Sequence, residues 1–93
     1  MSFLHTEFTG GSDYVVLVTL DGQANVMLLS DSDFSAYQRG SSFHYYGGWQ
    51  SHSPVRLSPP HDSRWHVVID RGGHGGSVRA GVRIIRRGSP MLA

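Results

Sequence analysis

The stretch FHYYGGWQSH, residues 43–52, gathers four aromatic rings and two histidines around a pair of glycines. Tyrosine and tryptophan join a large apolar area to a polar handle with few rotatable bonds, which suits them to recognition. Taken as a hairpin with Gly47-Gly48 as its two-residue loop, the stretch sets Tyr46 against Trp49 and His44 against Ser51 on one side. Tyr45 then faces Gln50 and Phe43 faces His52 on the other. Both sides are mixed in polarity, so at least one ring is expected to face solvent or line a cleft. His44, Tyr45, Tyr46 and Trp49 are therefore candidate binding residues. Arg79 and Arg83 join them, since they project from one face of a single expected strand with Gly81 between them, a surface suited to a flat or acidic partner.

The histidines raise the question of metal. His44, His52, His61, His66 and His74 are dispersed, with no His-x-His pair, no helical His-x₃-His, and one glutamate, Glu7, in the whole chain. Only convergence from separate strands could assemble them, so no metal ligand and no cofactor is assigned. A histidine-based metal-binding domain, hydrolytic or structural, stands as the alternative reading.

Other chemistries lack their parts. There is no cysteine, which excludes disulfides, thiolate catalysis and cysteine-based clusters. No G-x-S-x-G elbow presents a serine nucleophile, so no catalytic residue is assigned. RGGHGGS lacks the lysine and following helix of a phosphate loop, and reads as a turn. DSDFS opens like a calcium loop, but has no glycine at the sixth position and has Ser42 at the twelfth.

The elements that must position these residues are mostly strands. Short apolar or alternating runs separated by turn residues recur, and no long stretch keeps helical spacing. The expected strands are Phe3–Phe8, Tyr14–Leu20, Gln23–Leu29, the arms of the aromatic hairpin, a short one at SPVRL, Arg64–Asp70 and Ser77–Ile85. Asp21-Gly22 is expected to close a hairpin between the second and third. Ser30 to Asp33 offer N-caps and Gly40 a C-terminal stop, which predicts one or two helical turns pinned to the sheet by Phe34 and Tyr37. In RWHVVID, Trp65, Val67 and Ile69 form the core face, leaving His66, Val68 and Asp70 on the outer one. Gly72–Gly76 reads as a connecting turn. The expected fold is all-β, an antiparallel sandwich or partly open barrel of about seven strands with one short helical insertion. It spans residues 1–87, with 88–93 a flexible tail.

Charge and hydropathy narrow the partners. Eight arginines and no lysine give a net charge of +1, which is neither the broad positive field of a general nucleic-acid binder nor a polybasic membrane anchor. No apolar run approaches the roughly 20 residues that span a bilayer, and the first residues do not read as a secretory signal. A cytoplasmic protein is expected.

The segments ANVMLLSDSDFSAYQRG, HYYGG, SPVRL, WHVVID and VRAGVRII together resemble the bacterial family catalogued as domain of unknown function 1883, over about Phe3 to Arg86. The resemblance implies a small β-sandwich-like domain, found alone or joined to signalling domains of the TIR type, with no assigned activity. The sequence is thus expected to encode a non-enzymatic binding or interaction module, a sensor or adaptor, with a protein or small-molecule partner. Homo-oligomerisation is left open.

Overall fold

The computed structural model describes residues 3–71 and 78–87. Its strands are β1 (Phe3–Gly10), β2 (Tyr14–Leu20), β3 (Ala24–Ser30), β4 (Tyr46–Gln50), β5 (Val55–Leu57), β6 (Ser63–Asp70) and β7 (Ala80–Arg86), with one helix, α1 (Asp31–Arg39), between β3 and β4. They form two antiparallel sheets, one ordered β1-β6-β3-β4 and the other β5-β2-β7. This is the sandwich and not the barrel.

The alternation of side chains decides what lies between the sheets. Val16 and Val18 of β2, Ala24, Val26 and Leu28 of β3, Val55 of β5, and Trp65, Val67 and Ile69 of β6 form one buried cluster. Phe8, Leu57, Val82 and Ile84 pack against its margins. The core face expected for β6 is confirmed. The connectivity is not as expected at Asp21-Gly22. Because β2 and β3 belong to different sheets, this turn carries the chain across the sandwich instead of closing a hairpin. Asp21 is used to fasten β2 to the approach of β7: its amide donates to the Arg79 carbonyl at 3.1 Å, and its carboxylate accepts from the Arg79 amide at 2.7 Å.

The outer face of the first sheet is covered by α1. Ser30 caps the helix by accepting from the Asp33 amide, and Gly40 ends it at φ 77°, as expected from their residue types. The helix runs nine residues, longer than the one or two turns expected. Phe34 is buried among Met27, Leu29 and Val68, with Phe3, Tyr37 and Phe43 around them. This second apolar layer corrects the reading of β6, since His66 and Asp70 do lie on the outer face but are only 5% and 6% exposed.

The glycine pair is also corrected. Gly47 and Gly48 are not a hairpin loop but lie within β4, opposite Met27 and Val26 of β3. Their φ angles are 112° and 141°, a region favouring glycine. At Gly47 the two backbones come so close that a β-carbon would collide with the Val26 carbonyl oxygen, whereas at Gly48 it would meet nothing within 4 Å. Tyr46 and Trp49 consequently do not face each other. The register puts Tyr46 opposite Leu28 and Trp49 opposite Asn25, on opposite faces of β3. The expected turn at Gly72–Gly76, Ser77 and the tail 88–93 lie outside the described residues.

Two outcomes follow. Strain from positive φ costs about 1–3 kcal/mol, so Gly48→Ala should fall in that range and Gly47→Ala, which adds the collision, should lose more in equilibrium denaturation. Tyr37 donates its hydroxyl to Asp70 at 2.6 Å. Tyr37→Phe is expected to destabilise the protein by about 1.5–3 kcal/mol, the scale of a hydrogen bond to a charged group.

Candidate functional site

The chain leading from α1 into the start of β4 lays His44, Tyr45 and Tyr46 along a groove of about 480 Å³, together with Leu28, Ser30, Asp33, His61 and Trp65. Its floor is apolar and rigid, because Leu28 is wholly buried and Trp65 is 2% exposed. Trp65 is held by its indole N–H, which donates to the His61 carbonyl at 3.1 Å, and the His61 ring lies edge-on against it. The rim is open: Tyr45 is 48% exposed and Tyr46 51%, and the Tyr46 ring meets Trp65 edge-on at 6.1 Å. Phe43 anchors the approach by packing on Tyr37 and Tyr45.

Asp33 fixes the polar end. Its carboxylate accepts from the His44 amide at 3.0 Å and from the Ser30 hydroxyl at 3.0 Å. The backbone hydrogen bond from His44 is the main reason its carboxyl is held below the ordinary carboxylate value; partial desolvation opposes this, and Ser30 adds to it. The helix cap Ser30 and the groove wall Asp33 are thus tied to each other.

The six nominated residues do not form a single surface. Trp49, 42% exposed, lies further along β4 at the position opposite Asn25. Arg83 lies opposite Leu17 on the outer face of the second sheet, and Arg79 precedes β7 instead of standing within it. Arg79 borders a separate hollow of about 290 Å³ with Thr19, Asp21 and Gly81.

A second constellation lies under α1. His66 Nε2 is 2.5 Å from Asp31 Oδ1, and His66 Nδ1 is 2.8 Å from His5 Nε2. Both rings lie nearly parallel to Phe34, with interplanar angles of 18° for His5 and 8° for His66 and centroid separations of 4.2 and 4.4 Å. The two imidazoles are therefore side by side beneath one phenyl ring. Glu7, directly opposite His66 in the β1–β6 ladder, pairs with Arg64, whose Nε is 3.8 Å from Asp31. Burial lowers the pKa of His5, and the neighbouring His66 lowers it further.

Of the described histidines considered as metal ligands from sequence, only His66 enters this cluster. The His44 side chain is almost fully exposed, His52 is exposed, His61 abuts Trp65, and His74 lies outside the described residues. His5 was missed. Its signal is the spacing His5-x-Glu7, which puts both side chains on one face of a strand, but its meaning depends on the pairing of β1 with β6.

Fold and groove together define a helix-covered antiparallel β-sandwich with an aromatic-rimmed groove at the end of one sheet. The chain belongs to the family described as Domain of unknown function (DUF1883), which matches residues 1–88. No curated protein and no solved structure matches it. Among the described residues, no helix is long and apolar enough to cross a membrane.

The Asp33–His44 contact has a pH signature. Lowering of the Asp33 pKa means that the contact's contribution to stability is fully present above the ordinary value of 3.8 and is lost as pH falls through the lower folded-state value. The His44 amide proton resonance should titrate with a midpoint below 3.8 in the wild type, and should show no such step in Asp33→Asn.

Proposed function

We propose that this protein is a non-enzymatic binding module, a sensor or adaptor, that takes a protein segment or small molecule in the groove of His44, Tyr45 and Tyr46. The observation carrying this reading is the placement of two half-exposed tyrosines over the buried floor of Leu28 and Trp65. Such rings lose little rotamer entropy on binding, and a fixed floor keeps the groove formed in the free protein. The chemistry favours a ligand with a flat apolar body and a hydrogen-bond donor, the body lying on the tyrosines and the donor reaching Asp33. Trp49, Arg79 and Arg83, which lie on other surfaces, are proposed as partner contacts separate from the groove.

The test is affinity capture from the source cells with wild type and Tyr45→Ala/Tyr46→Ala, followed by chemical-shift mapping with the captured partner. Trimming exposed rings should cost about 1 kcal/mol or less of stability, while loss of a recognition anchor costs about 2 kcal/mol or more of binding. Loss of the partner with an unchanged melt supports the groove. Equal capture by the folded double variant, or shifts confined to the second sheet, overturns it.

A further inference from the structure

We propose that His5, Glu7 and His66 form a binding site for a divalent transition-metal ion, with zinc the ion that best suits the donors. One ligand atom from each of the three lies within 4.8 Å of those of the other two. They come from neighbouring strands of one sheet, so backbone hydrogen bonds fix their spacing: His5 and Glu7 share a face of β1, and His66 stands across from Glu7 on β6. Two imidazoles and one carboxylate suit zinc or iron(II) and disfavour magnesium or calcium, which prefer oxygen donors.

The surroundings supply what such a site needs. A carboxylate behind a ligating histidine fixes its tautomer and makes it a better donor. Asp31 occupies that position. When the singly protonated His66 ring donates from Nε2 to Asp31, its Nδ1 lone pair is directed at His5. In the metal-free pair that lone pair accepts the Nε2 proton of His5. On ligation the ion takes the place of this proton, which moves to Nδ1 of His5, and no oxidant or reductant is required. At zinc–nitrogen distances of about 2.0–2.1 Å and tetrahedral angles the two nitrogens would stand about 3.3–3.4 Å apart. The observed 2.8 Å separation thus has to open by roughly half an ångström. His5 lies on an edge strand with its residue exposed, so its ring can open this distance by a small slide beneath Phe34 without moving the core.

Phe34 closes the helix side, while exposed Glu7 gives the ion a way in. Arg64 competes for Glu7, but the pairing is through Oε1, and the second carboxylate oxygen remains for the metal. With Glu7 and Asp31 against one arginine, the local charge balance still attracts a cation. Three protein ligands leave a fourth position for water, so the site is an open one. This inference is independent of the groove.

The probe is cobalt(II), added to the full chain after treatment with a chelator and then displaced by zinc. We expect one equivalent of cobalt to produce the visible bands of a four-coordinate ion, and one equivalent of zinc to abolish them. Long-range ¹H–¹⁵N spectra should show zinc shifting Nε2 of His5 and Nδ1 of His66. His5→Ala should abolish the bands, Asp31→Asn should weaken binding about 10–100-fold, and His44→Ala/His52→Ala should leave it unchanged. Glu7→Gln, nearly isosteric, serves as a second ligand variant if His5→Ala does not fold. Binding of equal strength in folded His5→Ala or Glu7→Gln overturns the proposal. So do unmoved ring nitrogens at saturating zinc, which would leave a histidine–histidine hydrogen bond only.

Discussion

Burial of β6 on both faces is the constraint from which the rest of the arrangement follows. One face meets the second sheet and the other meets α1, so the strand is sealed although His66 and Asp70 are polar. Buried polar groups must be hydrogen-bonded or they destabilise the fold. Asp70 accepts from Tyr37 and from Asn25 Nδ2 at 3.1 Å, while His66 is flanked by Asp31 and His5. The helix supplies one partner near each end, Asp31 to His66 and Tyr37 to Asp70. Phe34 between them supplies the apolar contact. Polar pairs thus fix where the helix lies along the strand, a property that apolar packing alone specifies poorly.

That fixed helix also shapes the groove. Ser30 caps α1 and donates to Asp33, whose carboxylate in turn orients the chain at His44, so the rim is tied to the element that closes the second core. On the far side β4 can lie against β3 because Gly47 lacks a side chain where the two backbones meet. The tyrosine rim is carried by the start of an edge strand and the residue before it, yet its base is as firmly held as the core.

Local chemistry was largely legible in the sequence. Alternation in Trp65, Val67 and Ile69, the β-branched run of β2, and the caps Ser30 and Gly40 each encode their element through contacts within a few residues. What was not legible depends on partners far along the chain. Asp21-Gly22 has hairpin residues, but whether strands pair or cross is decided by which sheet each joins. Gly47-Gly48 carries the positive φ of a turn, and nothing local distinguishes a turn from a strand pressed against its neighbour. The alternation puts His66 on the outer face of its strand but does not show that a helix covers that face as a third layer, and His5 acquires meaning only beside it. The tyrosines and His44 stand out by residue type alone, and the structure places them along one groove; Trp49 lies close in sequence but is carried to another place by the pairing of β4 with β3.

The order in which the chain visits the two sheets sets how the molecule must assemble. Among the described residues β1 pairs only with β6, and β2 pairs with β5 and β7, so Phe3 waits for Asp70 and Tyr14 for Arg86. Loop closure over such separations has to be met before any pairing energy is gained, and all-β chains of this kind fold in roughly milliseconds to seconds. On the ribosome, β1 would emerge with no strand to pair with until β6 has been made, and β2, after pairing with β5, would keep one edge open until β7 has been made. Neither sheet is complete before then, and the exposed early edges are the segments that a holdase or a second nascent chain would meet first.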